Sequence, residues 1–231
     1  MVRVKLCGLM SEEDMRAAEA AGADALGFVT EYPVAVPWNL RRDRAARLVR
    51  NAPPFITTVA VVGGAVSEMV DIALTVRPRV LQLHGDETLD MVRTVCDSLE
   101  GTGIMVIKAL RIDVDTGEAR FTARDPVEAA RVLAGSGITA LVVDSKTSSR
   151  PAGTGVALDW DLAGVIRDAI DIPLILAGGL TAANVPAATA TVRPYAVDVI
   201  SGVERESGVK DPDKMCAFVR AAKGWKETNT S

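Results

Sequence analysis

The sequence predicts an α/β fold: a single (β/α)8 barrel. Apolar, β-branched runs alternate with amphipathic helical runs from end to end, as a parallel sheet buried on both faces requires. Eight such pairs fit within 231 residues, and eight is the number at which this kind of sheet closes on itself. A hydrophobic share of 48% with only 4% aromatics provides a large core packed by aliphatic side chains. An open doubly wound sheet also alternates strands with helices and stands as the other architecture.

The chain opens with a strand over 2–9, ending in Lys5-Leu6-Cys7-Gly8, and a helix over 12–20 that Ser11 and Asp14 start. Strand two covers 23–29, and a long connection, 30–41, leads to a helix over 42–51. Strand three, 55–63, precedes a helix over 66–76 with Ser67 ahead of Glu68 as its start signal. Strand four, 80–84, and a helix over 87–98 follow, then strand five, 105–112. A second long connection, 113–125, leads to a helix over 126–135 and to strand six, 140–145. The third, 146–158, precedes a helix over 159–169 that Asp159 caps. Strand seven, 173–180, a helix over 182–191, strand eight, 196–201, and a helix over 211–222 entered at Asp211-Pro212 complete the barrel. The barrel spans 1–226, and 227–231 form a polar tail. The connections after strands two and six fall at the C-terminal face, where active sites of such barrels lie.

A formal charge of −4 argues against a nucleic-acid binder, so an anionic ligand must be held by local donors. Three cysteines without CxxC spacing predict neither a disulfide framework nor a zinc site, and suit a reducing cytoplasm. The chain enters a strand at once, and no apolar run reaches the ~20 residues of a spanning helix, so neither secretion nor a membrane is expected. His84, the one histidine, is too little for a metal site, and its plainer role is to position a loop.

Two glycine motifs follow strands seven and eight, Ala177-Gly178-Gly179-Leu180 and Ile200-Ser201-Gly202-Val203. Glycines let backbone N–H groups approach an anion, and these two connections are the usual phosphate cradle of barrels. Either could instead be a tight turn; together they predict a small phosphorylated substrate. Asp144 ends the apolar strand six and reads as a proton donor, or as a partner of Lys146. Cys7 ends strand one, where a thiol is core filler or a base. Lys5 lies two residues earlier on the same face, as cationic help for the thiol or as a buried structural lysine. Cys96 and Cys216 sit in helical patterns as packing residues.

The motifs Lys5-Leu6-Cys7-Gly8, Leu81-Gln82-Leu83-His84-Gly85, Val143-Asp144-Ser145-Lys146, Gly153-Thr154-Gly155, Ala177-Gly178-Gly179-Leu180 and Asp198 through Glu204 occur in one order along almost the whole chain. In this the sequence resembles the phosphoribosylanthranilate isomerases. The resemblance implies a cofactor-free, metal-free Amadori rearrangement in tryptophan biosynthesis. It implies Asp144 as general acid, Cys7 as general base, and Gly178, Gly179, Ser201, Gly202 and Val203 around the phosphate. Lys5, Trp38, Arg41, His84 and Gly155 are further candidates for substrate contact, in a monomer or homodimer. That family usually carries Ser-x-Arg after strand two, the arginine meeting the anthranilate carboxylate. Here residues 31–40 lack arginine, leaving Arg41, Arg42 or Arg150 to replace it and Trp38 to stack on an aryl ring. Ile200 also stands where a second serine is usual. The alternatives are an Amadori isomerase for another N-substituted phosphoribosylamine, such as the histidine-pathway type, and a non-catalytic phosphosugar-binding barrel.

Overall fold

The computed structural model describes residues 1–146 and 159–225. Eight parallel strands close a barrel in sequence order: β1 Arg3–Leu6, β2 Ala25–Val29, β3 Thr57–Val62, β4 Val80–Leu83, β5 Met105–Asp113, β6 Ala140–Lys146, β7 Leu174–Leu176 and β8 Ala196–Val199. Helices α1 Glu12–Ala20, α2 Arg42–Arg50, α3 Val66–Val76, α4 Leu89–Leu99, α5 Pro126–Ala134, α6 Trp160–Asp168, α7 Val185–Val192 and α8 Pro212–Lys223 alternate with them. β8 returns to β1 with Arg3 opposite Ala196 and Lys5 opposite Asp198, so the sheet is closed rather than doubly wound.

Alternation along the strands splits the core into two layers. Val59, Val61, Val80, Ile107, Ala109, Val142 and Ile175 point inward and fill the barrel. Leu6, Leu26, Ala60, Leu81, Leu110, Leu141 and Val197 point outward and pack beneath the helices. Among the described residues no helix is long and apolar enough to cross a membrane.

Departures from the expected boundaries fall at the ends of elements. The expected strand 2–9 stops at Leu6 because Gly8 turns the chain at φ +74°, although the Cys7 N–H still donates to Val199 O (2.9 Å). The expected 173–180 shortens to Leu174–Leu176, since Gly178 and Gly179 take φ +88° and +63°. After β8 a single 3-10 turn, Ser201–Val203, replaces continued strand. The last long helix but one starts at Val185 rather than 182, because the Asn184 side chain accepts from Thr181 N–H and donates to Gly179 O, closing a turn first. Ser67 is not a cap: α3 begins at Val66, with Ala65 in the capping position. Ser11, Asp159 and Asp211 do cap their helices, Ser11 in a reciprocal box with Asp14. A short antiparallel hairpin, β9 Glu204–Glu206 with β10 Val209–Lys210, follows the 3-10 turn and was not expected.

Candidate active site

The C-terminal ends of the strands surround a cavity, into which β1, β6 and the connections after β2, β7 and β8 all contribute. Cys7 stands at one wall. Gly27 on the neighbouring strand makes its place, since a Cβ there would lie 2.6 Å from the thiol sulfur. Beneath it Lys5 Nζ lies 2.8 Å from Asp198 Oδ2, both side chains buried. Burial alone would lower the ammonium pKa, but Asp198 and then Cys7 outweigh it and hold Lys5 above the ordinary lysine value. Burial likewise pushes the Cys7 thiol up; Lys5 opposes that shift and Asp198 adds to it.

Asp144 enters from β6, at the opposite side of the cavity, with a side chain 19% exposed. His84 Nε2 is 3.4 Å from its Oδ2, and His84 Nδ1 meets the Gln82 amide nitrogen at 3.1 Å. With the Gln82 amide oriented to donate, Nδ1 accepts and the proton sits on Nε2, facing Asp144. The Tyr32 hydroxyl donates to His84 O (3.0 Å) and fixes this corner. His84 therefore lines the cavity as a neighbour of Asp144, beyond the loop-positioning role that sequence favoured.

Trp38 also lines the cavity and is buried. Its indole N–H donates to Glu204 Oε1 (2.5 Å), which Lys210 Nζ holds at 2.8 Å while also donating to Ile200 O. The connection after β2 is thereby tied to the hairpin after β8.

Gly178, Gly179 and Ser201 face the same cavity. Gly178 and Gly202 are required by their surroundings. A Cβ on Gly178 would meet Ser145 N at 2.8 Å and Asp144 Oδ1 at 3.0 Å, and one on Gly202 would sit 2.0 Å from Leu180 O. Gly202 and Val203 belong to the 3-10 turn at the rim, and the Val203 side chain is buried in the outer core. Among the described residues no group of three or more His, Cys, Asp or Glu could hold a metal ion.

Five of the candidate residues stand away from the cavity or outside the described residues. Arg41 does not reach the cavity: it precedes α2, its side chain is 86% exposed, and its partner is Asp43. Arg42 is also taken, by Glu31 and Asp71. Lys5 does not line the cavity; it acts from below through Cys7 and Asp198. Gly155 and Arg150 fall outside the described residues. Sequence reasoning gave no role to Asp198, Gly27 or Glu204. A carboxylate inside the apolar Ala196–Val199 strand was the available signal for Asp198. Gly27 and Glu204 carried none, because their partners are distant in sequence.

The chain is similar to known proteins over nearly its whole length. Residues 4–221 match the family model of N-(5'-phosphoribosyl)anthranilate (PRA) isomerase. The N-(5'-phosphoribosyl)anthranilate isomerase of Haloferax volcanii is 45% identical over 224 residues, 96% of this chain and 94% of its own length. The crystal structure of phosphoribosyl anthranilate isomerase from Thermotoga maritima superposes with a TM-score of 0.80 at 34% identity, covering 97% of this chain and all (100%) of that one. A phosphoribosyl anthranilate isomerase in complex with reduced 1-(o-carboxyphenylamino)-1-deoxyribulose 5-phosphate gives 0.77 at 33% identity, with 97% and 100% coverage.

Proposed function

The chain belongs to the N-(5'-phosphoribosyl)anthranilate isomerase family, as an isomerase of tryptophan biosynthesis, and we propose that Cys7 and Asp144 carry its proton transfers. One observation carries the assignment: the thiol and the carboxylate enter one cavity from β1 and β6, and both glycine connections border it. The family match over residues 4–221 favours this activity over the histidine-pathway type and over a non-catalytic barrel.

The substrate is N-(5'-phosphoribosyl)anthranilate and the product 1-(2-carboxyphenylamino)-1-deoxyribulose 5-phosphate. Its phosphate rests on the backbone at Gly178, Gly179, Ser201, Gly202 and Val203, in the connections after β7 and β8 that border the cavity. Asp144 donates a proton to the ribose ring oxygen; the C1–O bond breaks and the nitrogen lone pair forms an iminium. The Cys7 thiolate then removes the proton from C2, and the C–H pair becomes the C1–C2 double bond of an enolamine. Protonation at C1 and loss of the hydroxyl proton give the ketone. Acid and base on opposite walls keep the two transfers separate, and each contributes roughly 10²–10⁴-fold. Trp38, fixed by Glu204, presents its ring as a surface for the aryl group.

Loss of phosphoribosylanthranilate fluorescence, followed with freshly generated substrate, tests the reading. Wild-type protein turns over, while Cys7→Ser and Asp144→Asn each lose about 10²-fold or more in kcat with unchanged circular dichroism. Folded but inactive wild-type protein would sink the assignment; full turnover by either variant would remove that residue's role.

A further inference from the structure

We propose that Asp198 is a third catalytic residue, its free carboxylate oxygen accepting the hydroxyl hydrogen on the carbon from which Cys7 takes a proton. The proposal rests on the isomerase reading above and concerns the step that reading leaves without an acceptor.

The two oxygens of Asp198 have different surroundings. Oδ2 is held by Lys5 at 2.8 Å, across the β1–β8 seam where the two residues are register partners. Oδ1 is buried and has no hydrogen-bond partner among the described residues, while the residue itself lines the cavity. A buried carboxylate oxygen without a donor is costly, and nearly all such atoms are satisfied. A substrate hydroxyl is a donor of the right kind, since an ionised carboxylate only accepts. Lys5 also fixes which hydroxyl is in reach. Its ammonium interacts with both the Cys7 sulfur and Asp198, so thiol and carboxylate share one cation and flank the same part of the cavity. A sugar carbon presenting its hydrogen to Cys7 thus presents its own hydroxyl toward Asp198.

The chemistry requires such an acceptor. When Cys7 has taken the C2 proton, the enolamine still carries an O–H on C2. Collapse to the ketone breaks that O–H bond, delivers its proton to Asp198, forms C2=O, and places the proton held by Cys7 on C1. Asp144 has by then given one proton to the ring oxygen, so the substrate gains two protons and loses two. Asp198 ends protonated and Asp144 deprotonated, and exchange with solvent restores both. Lys5 is a positioning residue in this scheme: it holds Asp198 and supplies the cation beside the thiol.

Two measurements separate this role from a structural one. The charged groups facing Cys7 are Lys5 from its own strand, Asp198 from β8 and Lys210 from β10. Asp198→Asn removes a carboxylate that disfavours the thiolate but also the partner that keeps Lys5 charged, so thiolate formation is read directly by ultraviolet absorbance against Cys7→Ser, and kcat is compared at pH values of equal thiolate fraction. At equal thiolate fraction we expect kcat to fall by about 10²-fold with a smaller change in KM. A kcat within about threefold of wild type under that condition overturns the proposal, because the base alone then accounts for the rate. Wild-type protein provides the second measurement, which no folding defect can obscure. The reduced product analogue, which keeps a hydroxyl at C2, is expected to bind about tenfold or more tightly than its 2-deoxy counterpart. Equal affinity overturns the role. Wild-type protein lacking isomerase activity would be the failure of the underlying reading, whereas an active wild type with an unimpaired Asp198→Asn is failure of this proposal alone.

Discussion

A methyl group at Gly27 would stand 2.6 Å from Cys7 Sγ, 3.0 Å from Cys7 Cα and 3.0 Å from Lys5 Cε. The thiol and its neighbouring lysine therefore occupy volume that β2 leaves empty. Gly27→Ala should leave the barrel folded, since the other strands keep their ladders, yet displace the sulfur from the substrate. A shift on the ångström scale costs about 10²-fold in rate. The expected result is a kcat loss of that order with near-native circular dichroism; activity within threefold (about 0.7 kcal/mol) would mean the thiol has room to spare. Lys5→Met acts on the same thiol through charge. Cys7 already titrates above an ordinary thiol, and losing the cation that opposes this raises it further. A base at Cys7, as proposed, works deprotonated, so the acid limb of the kcat/KM profile should move to higher pH, and an unmoved limb would detach Lys5 from the base. Cys7 and Asp144 were legible because each ends an apolar strand, where a polar side chain must face either solvent or a site. The Lys5–Asp198 pair was not, because its members are 193 positions apart and meet only when the barrel closes.

Elements show a similar division. Helices α1, α6 and α8 were readable at their starts because Ser11, Asp159 and Asp211 satisfy local backbone N–H groups, an interaction written within three residues. The mouth ends of β1, β7 and β8 were read too long, because the glycine turns and the 3-10 turn there depend on what the loops meet, whereas β5 and β6 run one residue past their expected ends. The hairpin β9–β10 carries the most consequence. It buries Glu204 and Lys210 together at 2.8 Å and uses the carboxylate to seat Trp38. Removing one charge from such a pair leaves the other buried and unpaired, at roughly 3–5 kcal/mol. Lys210→Met should therefore lower the urea midpoint markedly, whereas Lys210→Met with Glu204→Gln should recover much of the loss. A single variant as stable as wild type would show that water reaches the pair. Trp38→Ala tests the upper half of the same latch: KM should rise more than kcat falls if the ring carries the aryl group. An unchanged KM would leave Trp38 as packing only.

Across the whole molecule, the two ends of the barrel carry different burdens. Cys7, Asp144, Asp198 and both glycine connections gather at the C-terminal face, while the opposite face holds short turns, the start of β1 and the end of α8. The start of β1 and the end of α8 lie together. Asp24 Oδ2 accepts from Val4 N–H and from Lys223 Nζ, each at 2.8 Å, and Trp225 packs against Gly22. The turn between α4 and β5 lies on that same face, and Cβ atoms at Gly101 and Gly103 would meet nothing within 4 Å. A circular permutant joining the original ends and opening between Gly101 and Gly103 therefore breaks no contact with the cavity. Every β–β pairing survives, including the β1–β8 seam, and exposed turns of small residues tolerate new ends well. Its kcat/KM should stay within about tenfold of the parent. Opening between Gly178 and Gly179 breaks the backbone beside Asp144 and Ser145 and places a charged amine and carboxylate at the proposed phosphate site. That permutant should fold with eight paired strands, as far-ultraviolet circular dichroism would report, and lose turnover by about 10²-fold or more. If the two permutants were equally active, the division between a stabilising face and a working face would not hold for this barrel. Inactivity of the first alone would place catalytic weight on the α4–β5 turn, where the structure puts none.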